Sequence, residues 1–284
     1  MQITEEIVEK MMPARETSSR KGDNGSVLVV GGSFVYHGAP VLTSMAALRT
    51  GVDLVYTAIP KIHAIPVRAY SPNLIVIPLA DGKLTRGATN KLIKSIPKKI
   101  DCAVIGNGMN TFDRRALLAL LKALNQRGTR IVLDAGALVP EILDIIAGMK
   151  VILTPHSGEF YRVFGKEVPQ DVTKKSMMVQ ECAKQYDAVI VLKSNTDIIS
   201  DGTNTYQFEK IIPAMTVGGT GDVLAGIIGG LYAKTTNALD AGVCGAYFNG
   251  VVGFSVQDKI GNHLVATDLI DAIPSIMKKF DKTV

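Results

Sequence analysis

Gly218-Gly219-Thr220-Gly221-Asp222 runs directly into the apolar segment Val223-Leu224-Ala225-Gly226-Ile227-Ile228, so a glycine-rich turn and a carboxylate stand at the mouth of a predicted helix. The first turn of a helix has N–H groups without intrahelical acceptors and the positive end of the helix dipole, and glycines let a phosphate come close to that backbone. A carboxylate at the same place can take a proton from an attacking hydroxyl. Alone, the segment supports two readings equally: an anion site with a base, or a helix start capped by Thr220 or Asp222, with Gly226, Gly229 and Gly230 serving close packing.

Other candidates are individually ambiguous. Lys193-Ser194-Asn195-Thr196-Asp197 offers a cation and several hydrogen-bonding groups suited to a nucleotide's ribose or phosphate, and equally suited to an exposed turn. His156 stands where a strand gives way to a helix, either as a functional group or as a turn residue with Ser157 or Glu159 serving the helix start. Asp134, after a buried strand, can hold a magnesium-bound water or cap a turn. Lys21-Gly22-Asp23-Asn24-Gly25 is either a lid over a crevice or a surface turn. His37, His63 and His263 fall in loops or near element ends and are assigned no chemistry. No P-loop, GxSxG elbow or HExxH spacing occurs, and Gly106-Asn107-Gly108 has Thr111 where the dinucleotide fingerprint needs a third glycine.

The elements that must position these residues alternate. Val27–Val30, Ala103–Ile105, Ile131–Leu133, Val151–Leu153 and Val189–Leu192 are short β-branched runs, each ending in small or polar residues. Val52–Ile59 and Leu74–Ile77 read as further strands, and Ile198–Phe208 as a hairpin around Asp201-Gly202. Helical periods cover Ala39–Arg49, Arg114–Arg127, Val139–Ala147 and Thr173–Gln185; the last third gives Asp222–Ala233, Leu239–Val256 and Ala266–Lys279 with Thr267 as a cap. This alternation predicts a mostly parallel sheet covered by helices. Ligands of such sheets bind beyond the carboxyl ends of the strands. Gly31, Gly106, Gly108, Asp134, His156 and Lys193 should therefore converge on one crevice, which favours the anion-site reading of Gly218–Asp222.

The 284 residues carry a formal charge of +5, spread over isolated pairs such as Lys98-Lys99, Lys174-Lys175 and Lys278-Lys279. Without a dense basic run or interleaved aromatics, this balance suits a small anion better than nucleic acid. Cys102, Cys182 and Cys244 form no CxxC or Cys/His pair, which points to a reducing cytoplasm. The acidic, amphipathic start is unlike a targeting leader, and the apolar stretch Ala241–Val256 is shorter than the ~18 residues of a membrane span. We expect neither nucleic acid nor membrane as a partner, and one domain over residues 1–284.

Taken in order, Lys21–Gly25, Val29-Val30-Gly31-Gly32-Ser33, His37-Gly38-Ala39-Pro40, Val104–Gly108, Leu153-Thr154-Pro155-His156-Ser157-Gly158-Glu159-Phe160, Val191-Leu192-Lys193, Gly218–Gly226 and Ala266–Leu269 resemble the ADP- or ATP-dependent NAD(P)H-hydrate dehydratases of the ribokinase-like superfamily. The resemblance implies a ribokinase-like three-layer α/β/α sandwich that returns hydrated (6S)-NADHX or NADPHX to NADH or NADPH at the cost of a nucleotide phosphoanhydride. It implies that Ala39, Gly108, His156 and Asp222 face the hydrated nicotinamide, and that Lys193, Ser194, Asn195, Thr196, Asp197 and Gly221 hold the adenine nucleotide. Magnesium would bridge the phosphates. Asp222 would draw the proton from the C6 hydroxyl while the N–H groups of Gly219, Thr220 and Gly221 stabilise the transferring phosphoryl. A homotetramer is expected, as is a separate NAD(P)HX epimerase, since no epimerase domain fits before the first motif. The want of an organellar leader favours ADP over ATP. The sequence departs from the family at Asn107, Asn110, Gly136, Ser157 and Ser194-Asn195. The competing readings are a vitamin-precursor kinase of the same superfamily, such as one acting on hydroxyethylthiazole, and a non-catalytic nucleotide sensor.

Overall fold

The β-branched runs all become strands in a computed structural model that describes residues 1–80, 82–110 and 112–284. They are β1 (Ser26–Val30), β2 (Leu54–Pro60), β3 (Ile75–Leu79), β4 (Cys102–Ile105), β5 (Arg130–Leu133), β6 (Val151–Leu153), β7 (Val189–Leu192), β8 (Thr196–Ser200) and β9 (Thr205–Glu209). One sheet takes in all nine in the order β3-β2-β1-β4-β5-β6-β7-β8-β9. β1 to β7 are parallel, and the β8–β9 hairpin adds an antiparallel edge. Thr111, whose side chain excluded the dinucleotide fingerprint, lies outside the described residues.

The helices are α1 (Glu5–Met11), α2 (Gly38–Arg49), α3 (Lys61–Tyr70), α4 (Arg86–Ser95), α5 (Arg114–Asn125), α6 (Ser157–Phe164), α7 (Val172–Tyr186), α8 (Thr220–Lys234), α9 (Ala238–Ile260) and α10 (Ala266–Met277). The period-2 alternation of a strand sends Val27 and Val29 into a core built with α2, α8, α9 and α10, and Leu28 and Val30 into a second core built with α4, α5 and α7. Both sheet faces are thus covered, and the architecture is the expected three-layer α/β/α sandwich. α9 is long and apolar enough to cross a membrane, yet 78% of its apolar window is buried within the fold.

α8 lies directly on the sheet. A Cβ at Gly229 would meet Val104 Cγ2 at 2.2 Å, and one at Gly226 would meet the Thr43 carbonyl oxygen of α2 at 2.3 Å. Only glycine allows this approach, which carries the α8 N-terminus to the carboxyl ends of the central strands.

Two expectations fail, and one open choice is decided. Val139–Ala147 is no α-helix: a 3₁₀ turn spans Pro140–Asp144, although the segment still buries Val139, Ile142 and Ile146. Thr267 does not cap α10; Val265 holds the cap position and Asp268 Oδ2 accepts its N–H at 2.7 Å, leaving Thr267 in the first turn. Lys21–Gly25 is no lid, since it precedes β1 at the end of the sheet away from the crevice. There the Asp53 carboxylate accepts hydrogen bonds from Gly22 N at 2.7 Å and Asn24 N at 3.1 Å. α3 and α4 lack a sequence signal: Pro66 interrupts the first, and the second buries only Ala88, Thr89 and Leu92.

Candidate active site

Neither residue proposed as the α8 cap serves as one. Gly219, at φ +97°, takes the cap position without a side-chain hydrogen bond. Thr220 turns its hydroxyl back to donate to the Met215 carbonyl at 3.0 Å. The first-turn N–H groups of α8 are therefore left facing the crevice without a side-chain cap.

Asp222, half-buried in that first turn, belongs to a chain of buried polar groups. Asn107 Nδ2 donates to Asp222 Oδ1 at 2.7 Å and to Asp134 Oδ2 at 2.9 Å. Asp134 Oδ1 accepts from Thr154 Oγ1 at 2.8 Å and from Lys193 Nζ at 2.7 Å. Lys193 lies 3.6 Å from Glu159 Oε2. A Cβ at Gly221 would stand 3.6 Å from Lys193 Nζ, which places this ammonium at the α8 mouth. The strand ends β4, β5, β6 and β7 thus supply Asn107, Asp134, Thr154 and Lys193 in sheet order.

The electrostatics follow from the geometry. Burial pushes the Asp222 carboxyl up to about 6, and the charges of Asp134 and Glu159 push the same way, against the Asn107 hydrogen bond and Lys193. For Lys193, burial works against its charge, but Asp134 and Glu159 more than offset this and hold its proton more tightly than usual. Both Asp134 oxygens are engaged within the protein. Among the described residues no three His, Cys, Asp or Glu side chains converge into a metal cage. A divalent cation would find no complete ligand set of such side chains among the described residues.

His156 is itself the cap of α6: its Nδ1 accepts from Gly158 N at 3.0 Å and Glu159 N at 3.3 Å, while Glu159 Oε2 accepts from His156 N at 2.9 Å. A backbone bridge ties His156 to Lys193, so both border a cavity of about 390 Å³ together with Ser194, Asn195, Thr220 and Gly221. Apolar walls come from Ile212, Met215 and Leu224. Thr196 begins β8 beside this loop. Asp197 is fully buried: Oδ1 accepts from Ser194 N at 2.9 Å and Oδ2 pairs with Lys210 Nζ at 2.6 Å. Its carboxylate shapes the loop from within. Ala39 and Gly108 meet across the crevice, where a Cβ on Gly108 would stand 3.1 Å from Ala39 Cβ and 2.6 Å from the Tyr36 carbonyl oxygen.

The sequence assigns no chemistry to Asn107 or Thr154, and to Glu159 only a part in the helix start, which its capping contact with His156 N bears out. Thr154 is visible only as punctuation at a strand end. Asn107 stood out as a departure from a family pattern, with nothing in the sequence to pair it with Asp222, 115 residues away.

Fold and site together define a class: a ribokinase-like α/β protein with an anion crevice at the carboxyl ends of a parallel sheet. A ribokinase-like superfamily protein from Enterococcus faecalis shares the fold with TM-score 0.83 at 24% identity, over 99% of this chain and 96% of that one. The family model described as NAD(P)H-hydrate dehydratase matches residues 27–275, and the chain belongs to that family. An ADP-dependent (S)-NAD(P)H-hydrate dehydratase of Nitrosopumilus maritimus is 51% identical over 280 residues, 99% of this chain and 98% of the relative. The crystal structure of the ADP/ATP-dependent NAD(P)H-hydrate dehydratase from Bacillus subtilis, co-crystallized with ATP and Mg2+, aligns with TM-score 0.82 at 28% identity over 98% of both chains.

Proposed function

We propose that the crevice dehydrates the (6S)-hydrates of NADH and NADPH while ADP, or ATP, loses its terminal phosphate. The supporting observation is Asp222, a carboxylate pushed up to about 6 at an uncapped helix mouth beside Lys193. Such a group is ionised at neutral pH and still basic enough to accept a proton. Asp222 takes the proton of the C6 hydroxyl as that oxygen bonds to the terminal phosphorus and the nucleotide leaves. The N–H groups of Gly219, Thr220 and Gly221 and the Lys193 ammonium stabilise charge on the transferring group. Phosphate then departs from C6 with the ring nitrogen's electron pair pushing, and loss of the neighbouring proton restores the dihydronicotinamide. The hydrate's water thus ends in inorganic phosphate. Magnesium, carried on the nucleotide phosphates, supplies charge neutralisation there.

Ala39, Gly108 and His156 are read as the walls of the nicotinamide pocket, and Lys193 to Thr196 as the nucleotide loop, with Asp197 holding that loop in shape. An S-specific enzyme leaves the R hydrate untouched, so an epimerase is its functional partner, and we read residues 1–284 as one catalytic unit without that activity. Exposed Ile62 and Ile65 on α3 and Phe34 to Tyr36 above Gly108 support an oligomer, which we read as a homotetramer. Three buried, unpaired cysteines suit a cytoplasmic setting.

The test is Asp222→Asn, incubated with NADHX, ADP and magnesium while the NADH absorbance is followed. It should bind ADP normally by calorimetry and return almost no NADH. Near-normal turnover, or a stable phosphorylated product from the wild type, overturns the reading.

A further inference from the structure

The pair Lys174-Lys175 looks in sequence like any scattered basic pair, but the fold separates its members. Lys174 is exposed, whereas Lys175 is 8% exposed. Lys175 lies in the first turn of α7, where the helix dipole disfavours a cation. Its Nζ donates to Ser194 Oγ at 3.4 Å, and no carboxylate among the described residues pairs with it. The side chain is thus buried while its ammonium, at the cavity edge, has a hydroxyl beside it and no carboxylate.

This ammonium borders a cavity of about 510 Å³ whose polar lining also includes Lys193, His156, Ser157, Asn195 and Gln170. Neither aspartate nor glutamate is among the lining residues. The cavity shares His156, Lys193, Ser194 and Asn195 with the crevice beneath α8, so a ligand seated in one extends into the other.

We propose that this cavity is a phosphate subsite in which Lys175 is the counter-ion of a phosphate group on a ligand in the crevice. The hydroxyl of Ser157 and the amides of Asn195 and Gln170 complete a set of neutral donors around two lysines, a combination that selects a phosphate over a carboxylate-bearing protein partner. Two ligands of the reaction carry such a group: the adenine nucleotide, and NADPHX through its 2′-phosphate. The inference rests on the proposed function only for these two sources.

Calorimetry with ADP and with 2′,5′-ADP on the full chain separates them, using Lys175→Met and, as a control, Lys174→Met. Lys175→Met should weaken one of the probes at least tenfold, with Lys174→Met within twofold of the wild type. Loss of ADP binding assigns the subsite to the nucleotide, and loss confined to 2′,5′-ADP assigns it to the phosphorylated dinucleotide. Ser194→Asp places a carboxylate against Lys175 without emptying the core; it should raise the melting temperature and weaken the same probe. If both variants bind both probes within twofold of the wild type, the subsite does not exist. Because binding is read directly, the outcome stands apart from that of Asp222→Asn, which tests the chemistry.

Discussion

Asp53 and Asp222 stand at opposite ends of the parallel strands, and each receives an asparagine amide, yet their proton affinities move in opposite directions. Burial works against the Asp53 charge, but the N–H groups of Asn24 and Gly22, the Asn24 side chain and Arg15 outweigh it and hold the carboxyl below its ordinary range. At Asp222 burial dominates, because among the described residues only the Asn107 amide donates to it and Asp134 adds a like charge nearby. A carboxylate saturated with donors anchors a loop; one left short of donors keeps the affinity for a proton that catalysis needs.

The largest expected effect of breaking this contrast is Asp222→Asn, which should lower NADH formation by at least ~100-fold, the scale of a positioned base. Removing the Asn107 donor to that proposed base comes next. Asn107→Leu keeps the volume but frees Asp222, and it should lower kcat about tenfold while moving the acidic limb of the pH–rate profile upward from its wild-type position near pH 6. A merely structural asparagine would cost stability without moving that limb. On the anchoring side, Asp53→Ala orphans the Gly22 and Asn24 donors and should cost about 1–3 kcal/mol of stability in urea melts, with kcat per folded molecule unchanged. Loss of kcat in a fully folded Asp53 variant would erase the distinction between the two ends.

Stability against pH sharpens the same comparison. The folded-state pKa of Asp222 lies above its unfolded value, so its protonated form stabilises the fold below pH ~4, and that contribution is lost as pH rises through about 6. Asp222→Asn stays neutral throughout and should be more stable than the wild type at pH 8 by up to ~3 kcal/mol, converging with it in acid. Asp53 behaves oppositely: its depressed pKa contributes stability above its unfolded value, lost as pH falls through the folded value. The smallest effect is therefore expected for Asp53→Asn compared with wild type at low pH, where thermal melts should nearly coincide.

The central strands were legible because they are buried on both faces and read as β-branched runs closed by a small or polar residue, as Val189–Leu192 before Lys193. Segments without such a rule misled. Val139–Ala147 has helical spacing but forms a 3₁₀ turn, and Thr267 was a plausible cap until Asp268 reached back to Val265. The candidate site was half legible: residues at strand ends announced themselves, while partners acting through them, such as Asn107 and Lys175, carried no pattern of their own.

The chain alone determined which backbone lies at the crevice, because glycines at a helix start and polar residues at strand ends act through local conformation and fixed periodicity. Whether Asp222 caps its helix or turns to Asn107, whether Asp197 is exposed or buried against Lys210, and which lysine of a pair is buried were decided only by the tertiary structure. Those outcomes depend on desolvation and on hydrogen bonds between groups as far apart in sequence as Asn107 and Asp222, and local sequence carries neither.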